Sequence, residues 1–293
     1  MKSFASVHPV ILFIYYVTVI FMTMFMMHPV ILILSLIGAL TFFFMLEPTK
    51  QFLRDIGFYF FVFILIALTN PLFVHRGETI LFFLNDNPVT KEAFIYGIVI
   101  AAMLVAVIFW SKSYTLLMTS DKFVYLFGKA IPKLSLIISM ALRFIPLFKT
   151  QMKKVNKTQK TLGIYTSKSI VDRIFSGIRT FNSLLTWSLE NSISQADSMK
   201  ARGYGLKGRT NFSLFKWNSR DYSLLVMIGS IFLFVMYLNV KGVYKFNYYP
   251  LVSSLDFSIK HVLELSIIFI LIILPTLVEV KENLQWRYYK SKI

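Results

Sequence analysis

"HPVILFIYYVTVIFMTMFMMHPVILILSLIGALTFFFML", residues 8–46, contains no Lys, Arg, Asp or Glu. It holds two apolar runs, 9–27 and 29–46, each near the ~20 residues that cross a bilayer core. Continuous apolarity rather than alternation selects helices, and in lipid only helices and closed barrels satisfy their own backbone. The repeated "HPVIL" at 8–12 and 28–32 marks two helix starts. Pro9 and Pro29 then fall in first turns, where a missing N–H costs nothing. The first run does not read as a cleaved signal: only Lys2 precedes it, no small-residue cleavage site follows, and a second apolar run comes at once.

The same reading extends outward. The chain has 293 residues and is 56% hydrophobic and 17% aromatic, against about 45–50% apolar in ordinary soluble domains. Further spans fall near 57–73, 93–110, 222–240 and 262–279, making about six. The expected organisation is N-terminal membrane helices over 1–110, a helical insert over 111–221 between spans four and five, and C-terminal membrane helices with a basic tail over 222–293. The fold class is therefore all-α and polytopic. Lys50 and Arg54 in one short loop, with Lys281, Arg287, Lys290 and Lys292 in the tail, place both termini in the cytosol by the positive-inside rule. Trp110, Tyr114, Trp217, Trp286 and Tyr288 suit interfacial belts. Gly38, Ala39, Gly97, Ala101 and Ala102 are small enough to let helices approach closely.

Charge is concentrated in the insert. The formal net charge is +17, and 15 of the 31 basic residues lie between Arg143 and Arg220, against three acids there. Apolar positions at Leu134, Ile138, Ala141, Ile145, Phe148, Met152 and Val155 recur every three or four residues. Lys149, Lys153, Lys154, Lys157 and Lys160 fall between them, the pattern of an amphipathic helix. Ile174, Ile178, Phe181, Leu185, Leu189 and Ile193 repeat it. Pro146 is expected to begin or kink the first helix. "LGIYTSKS" (162–169) breaks the pattern and offers N-caps for the second. The second helix should end at Ala201-Arg202-Gly203, with Gly as the left-handed cap and Arg at the negative end of the dipole.

Other chemistries fit poorly. Gly203, Gly208, Arg209 and Thr210 approach the spacing of a phosphate loop, but Arg replaces Lys and the glycines follow a helix instead of a strand. No directly bound nucleotide or cofactor is expected. Absence of cysteine removes disulfides, thiolate catalysis and Cys-ligated metal. His8 and His28 are separated by a whole span, so they do not form a shared metal site. An enzyme of lipid or isoprenoid phosphates, the alternative reading, would use clustered acids, and Asp121, Asp172, Glu190 and Asp197 are scattered. His75 and His261 have no evident partners. A stand-alone channel or carrier would place ionisable groups at mid-membrane, and Asn70-Pro71 and Glu264 lie near span ends.

"SMALRFIPLF" (139–148), "ADSMKARGYG" (196–205) and "GRT" (208–210), in this order among the spans, resemble the T component of energy-coupling factor transporters, the family that includes CbiQ-type cobalt permeases. The resemblance covers essentially the whole chain. It implies a non-catalytic membrane scaffold of a vitamin or transition-metal importer. Its partners would be two ABC ATPase subunits, a small membrane S component that binds the cargo, and membrane lipid, with no nucleic acid. It further implies that helix tips in the insert dock on the ATPases. The second tip matches as Ala201, Arg202 and Gly203. The first falls on Thr161, Leu162 and Gly163, which keeps Gly and departs from Arg.

Overall fold

The computed structural model describes residues 4–74, 76–84, 87–128, 131–163, 170–206, 215–254 and 258–290. The chain separates into two compact units. The first comprises Met1–Thr119 and Phe215–Ile293, and the second Ser120–Leu214.

In the first unit a 3-10 turn at Phe4–Ser6 precedes α1 (Pro9–Phe25), α2 (Pro29–Leu46), α3 (Thr49–Phe73) and α4 (Lys91–Leu117). After the inserted unit come α8 (Ser219–Val240) and α9 (Ile259–Lys290). Pro9 and Pro29 open α1 and α2 as the repeat predicts. The second unit holds α5 (Ser120–Gly128), α6 (Pro132–Thr161) and α7 (Ile170–Ala201). Among the described residues α2, α3, α4, α6, α8 and α9 are long and apolar enough to cross a membrane. The helix α6 qualifies with a mean hydropathy of 1.2, against 2.1 to 2.6 for the others. Its Leu134–Phe148 stretch carries one charge, Arg143, and its lysines follow. The uncharged α1 spans 17 residues.

Several boundaries differ from the expected spans. The helix α3 starts at Thr49 instead of 57, α4 continues to Leu117 instead of 110, and α9 runs through the basic tail to Lys290. Loss of apolar periodicity ends a span without ending a helix. Where α3 and α4 outrun the apolar phase, Lys112 pairs with Asp55 and lies over the rings of Phe43 and Tyr59. The expectation that Pro146 begins α6 fails, because Pro132 takes the opening position and the helix continues through Pro146. Neither α5 nor the antiparallel hairpin of β1 (Ile80–Leu84) and β2 (Asn87–Thr90) was expected from periodicity. The apolar run "ILFFL" is too short to distinguish a strand from a helix end.

Close helix approach organises the core of this unit. Helices α2 and α4 pack together, with α1 and α9 against them. A Cβ added at Gly38 would lie 2.1 Å from Ile272 Cγ2, so α2 and α9 nearly touch there. In α9, Pro275 has no N–H for the carbonyl of Leu271, and the buried Tyr15 hydroxyl donates to that carbonyl at 3.2 Å. Trp110 is not interfacial. It is fully buried and donates from Nε1 to Ser35 Oγ at 3.1 Å, while Ser35 Oγ lies 2.8 Å from Thr23 Oγ1. Such a ring satisfies its polar atom internally, which hydropathy alone does not reveal.

The two ends of this bundle are chemically distinct. At one end Glu279 accepts the Phe4 N–H at 3.1 Å. Asp221 completes a capping box on Asn218 and accepts the His8 N–H at 3.5 Å, and the His8 ring stacks on Trp217 at 4.0 Å. Two buried carboxylates thus tie the N-terminal turn to the start of α8 and the C-terminal part of α9. At the opposite end Tyr248 donates to Met27 O, His28 meets the His261 ring at 5.4 Å, and His261 pairs with Glu264 at 3.6 Å. His261 therefore has partners, contrary to the sequence expectation. They come from the α1–α2 junction and the next turn of α9, a proximity that no linear spacing encodes. His75 lies outside the described residues.

His28 sits between spans. Burial, with His261 beside it, pushes its pKa down from 6.5 to about 4. A histidine freed by unfolding takes a proton near pH 6.5, so between pH 6.5 and 4 the unfolded chain binds more protons than the folded one. The stability this contributes is complete above pH 6.5 and declines as pH falls towards 4. Thermal melting of the purified protein should therefore drop between pH 7.5 and 5, and His28→Gln should reduce that drop.

Candidate functional site

The candidate site is built within the second unit from the ends of α6 and α7. Contacts pair rising numbers on α6 with falling numbers on α7. Phe148 meets Trp187 edge-on at 5.5 Å, Asn156 lies opposite Thr180, and Gln159 lies opposite Ser176. The helices are thus antiparallel. Their shared face is small and polar near the turn: Ser176 donates to Gln159 Oε1 at 3.2 Å, and the Thr180 hydroxyl reaches Gln159 Oε1 and Asn156 Oδ1 at 3.3 and 3.1 Å. Gln159, Ser176 and Thr180 are all buried. The apolar stripe Ile174, Ile178, Phe181, Leu185, Leu189 and Ile193 remains exposed in this unit. Amphipathicity therefore signals the right helices, while near the turn polar side chains make the contact between them.

Both helices end on a left-handed glycine: the sequence predicts that conformation at Gly203, and at Gly163 it predicts only the break. Gly203 has φ +77°, and its N–H donates to Lys200 O at 2.9 Å while the Tyr204 N–H donates to Met199 O at 3.0 Å. Those two bonds together are a Schellman cap, which only a residue tolerant of positive φ closes without strain. Gly163 has φ +73°, and its N–H donates to Lys160 O at 3.1 Å. Each glycine is preceded by the residue that carries the tip: Arg202 after Ala201 on α7, Leu162 after Thr161 on α6. All four of these residues are exposed.

The antiparallel arrangement sends the tips in opposite directions. The helix α7 has 32 residues, about 48 Å at 1.5 Å per residue. Because the C-terminus of α6 lies beside the N-terminal part of α7, the two tips stand on the order of 45 Å apart. One small binding groove cannot hold both. Arg202 offers a planar, five-donor guanidinium suited to carboxylates; its backbone N–H donates to Ser198 O at 3.1 Å, and among the described residues the guanidinium itself makes no hydrogen bond or ion pair. The phosphate-loop positions Gly208, Arg209 and Thr210, and the N-cap candidates within 164–169, lie outside the described residues.

Long apolar helices in a bundle with buried glycines, interrupted in sequence by an amphipathic antiparallel pair with glycine-capped tips, define a polytopic helical membrane protein with an amphipathic helical insert. The chain matches the family described as cobalt transport protein (CbiQ) over residues 2–214, and it belongs to that family. It is also similar to curated relatives named energy-coupling factor transporter transmembrane protein EcfT. The protein of Listeria innocua is 30% identical over 181 residues, covering 57% of this chain and 67% of the relative. That of Staphylococcus aureus is 27% identical over 195 residues, covering 62% and 73%. That of Streptococcus equi is 28% identical over 187 residues, covering 59% and 70%. These names are of transporter components, and the reading as an enzyme of lipid or isoprenoid phosphates finds no support in them.

Proposed function

We propose that this chain is the transmembrane scaffold of an energy-coupling factor importer and performs no catalysis itself. It transmits the movement of two cytoplasmic ABC ATPase subunits to a small membrane S component that holds the cargo. The observation that carries this reading is the exposed Arg202 on a rigid, Schellman-capped helix end, in a chain of this family. A helix is stiff along its axis, so a push on its tip is delivered along its whole length. Ala201 keeps the tip narrow, Arg202 supplies a charged fork for an acidic groove, and Gly203 stops the helix and lets the partner backbone come near.

The termini and the tips of the insert are assigned to the cytosol. Residues 4–8, the starts of α8 and the end of α4 all lie at the bundle end that carries Lys50, Arg54, Arg220 and Lys281, which agrees with the positive-inside rule. Cargo specificity belongs to the S component in this arrangement, so vitamins and transition-metal ions are both compatible with the chain.

The test is purification from the membranes of cells expressing the chain with its genomic neighbours. Two ATPase subunits and one small apolar protein should co-purify, and ATP should drive uptake after reconstitution. A purified chain that transports in liposomes with no ATPase present would overturn the reading.

A further inference from the structure

The two tips share a backbone and differ in chemistry. Residues 161–163 and 201–203 both place the tip residue just before a glycine at φ near +75°, so Leu162 occupies the position that Arg202 occupies on the other helix. Leu162 is 69% exposed, more than most surface leucines, although α6 ends in a lysine-rich turn. The Thr161 hydroxyl does not compensate for the missing guanidinium, since it bonds back to Lys157 O at 2.9 Å within its own helix. At the position equivalent to Arg202, the α6 tip therefore offers a partner an isobutyl group.

An acidic groove matched to Arg202 would gain nothing from that group and would leave its own carboxylates unpaired on binding, which is costly. An apolar socket would gain the burial of a leucine. With the tips on the order of 45 Å apart, each must have its own receiving surface. Resting on the coupling function proposed above, we infer that the surface receiving the α6 tip is an apolar socket on a nucleotide-hydrolysing subunit, chemically different from the acidic groove that takes Arg202. The two hydrolytic subunits are then not interchangeable in the complex. Leu162 fixes which of them sits under α6, and Arg202 which of them sits under α7.

Four substitutions in the full transporter, co-expressed with all its subunits, test this. Retention of each ATPase subunit is measured after purification, together with ATP-driven uptake. Leu162→Asp should reduce both by on the order of tenfold or more, the scale of one leucine burial, while Leu162→Met retains them. Leu162→Arg should also impair assembly, because a charge would enter an apolar socket. A photo-crosslinking amino acid at 162 should label an ATPase peptide rich in apolar residues, distinct from the peptide labelled from 202.

Improved assembly with Leu162→Arg would overturn the inference, since the groove would then be acidic after all. So would full tolerance of Leu162→Asp, or crosslinks from 162 to lipid or to the S component. Arg202→Glu separates the two levels of argument. If it abolishes coupling while every Leu162 variant is neutral, only the socket is lost. If it too is neutral, the coupling function itself fails. Leu162 is solvent-facing, so unchanged membrane abundance of each variant excludes misfolding as the cause.

Discussion

Arg202→Glu should leave the chain folded in the membrane and deprive it of the ATPase subunit that α7 engages, with ATP-driven uptake falling to background. The argument is electrostatic. The substitution lies one residue beyond α7 on an exposed tip, so no core contact is disturbed and Gly203 still closes the helix. What changes is the sign of the charge that, under the proposed function, meets an acidic groove. Removing one partner of a desolvated charge pair costs about 2–5 kcal/mol, much of it from the charge left unpaired, and reversal adds repulsion. That corresponds to about 30-fold to several thousand-fold in affinity. Arg202→Lys keeps the charge and loses the planar fork, so it should fall between the wild type and Arg202→Glu. If Arg202→Glu supports uptake at the wild-type rate, α7 does not dock through this residue. High salt should mimic a weaker version of the defect if the contact is partly solvated.

Much of this architecture was legible in the residue order, for identifiable reasons. The spans could be read because lipid demands unbroken apolarity, and the repeated "HPVIL" set two helix starts that Pro9 and Pro29 occupy. The tips could be read because a glycine after a basic last turn is a local signal, and Gly163 and Gly203 both adopt the positive φ it implies. Failures came where one residue's role depends on distant chain. Trp110 looked interfacial by type, yet Ser35 on another helix satisfies its N–H. His261 looked isolated because its partner His28 is more than two hundred positions away in sequence. The α6–α7 contact was hidden for a different reason. Apolar periodicity pointed to the stripe at Ile174–Ile193, while Gln159, Ser176 and Thr180 make the buried contact. Pro146 left a start and a kink both open, and the structure removes the start: Pro132 opens α6 and the helix runs on through Pro146. The chemical difference between Leu162 and Arg202 was visible in the sequence, but their equivalence rests on the matching caps.

Gly97→Val should be the most damaging single change within the membrane helices. A Cβ at Gly97 would lie 2.5 Å from the carbonyl oxygen of Ala67 and 3.2 Å from Asn70 Cβ. The carbonyl belongs to the turn of α3 ahead of Pro71. Pro71 has no N–H to pair with it, and so that oxygen is left facing the bare Cα of Gly97 across the helix interface. The obstructing atom is backbone, which no rotamer change can move, so α3 must shift as a body. Its main packing partner is α4, and most of its length is exposed, which gives it little else to hold it in register. Overpacking of this kind costs about 1–3 kcal/mol for added methylenes that can be partly accommodated, and a branched side chain against backbone belongs at or above the top of that range. Gly97→Ala should be damaging as well, though less so. The control is internal: a Cβ at Gly57, also on α3, or at Gly229 on α8 meets nothing within 4 Å. Alanine at those sites should be neutral or slightly stabilising through helix propensity alone, lipid-facing or not. Thermal melting of the detergent-purified protein, with hydrogen exchange read over 49–74, distinguishes the cases. Melting of Gly97→Val at the wild-type temperature, with α3 equally protected, would mean that α3 and α4 do not meet along this seam.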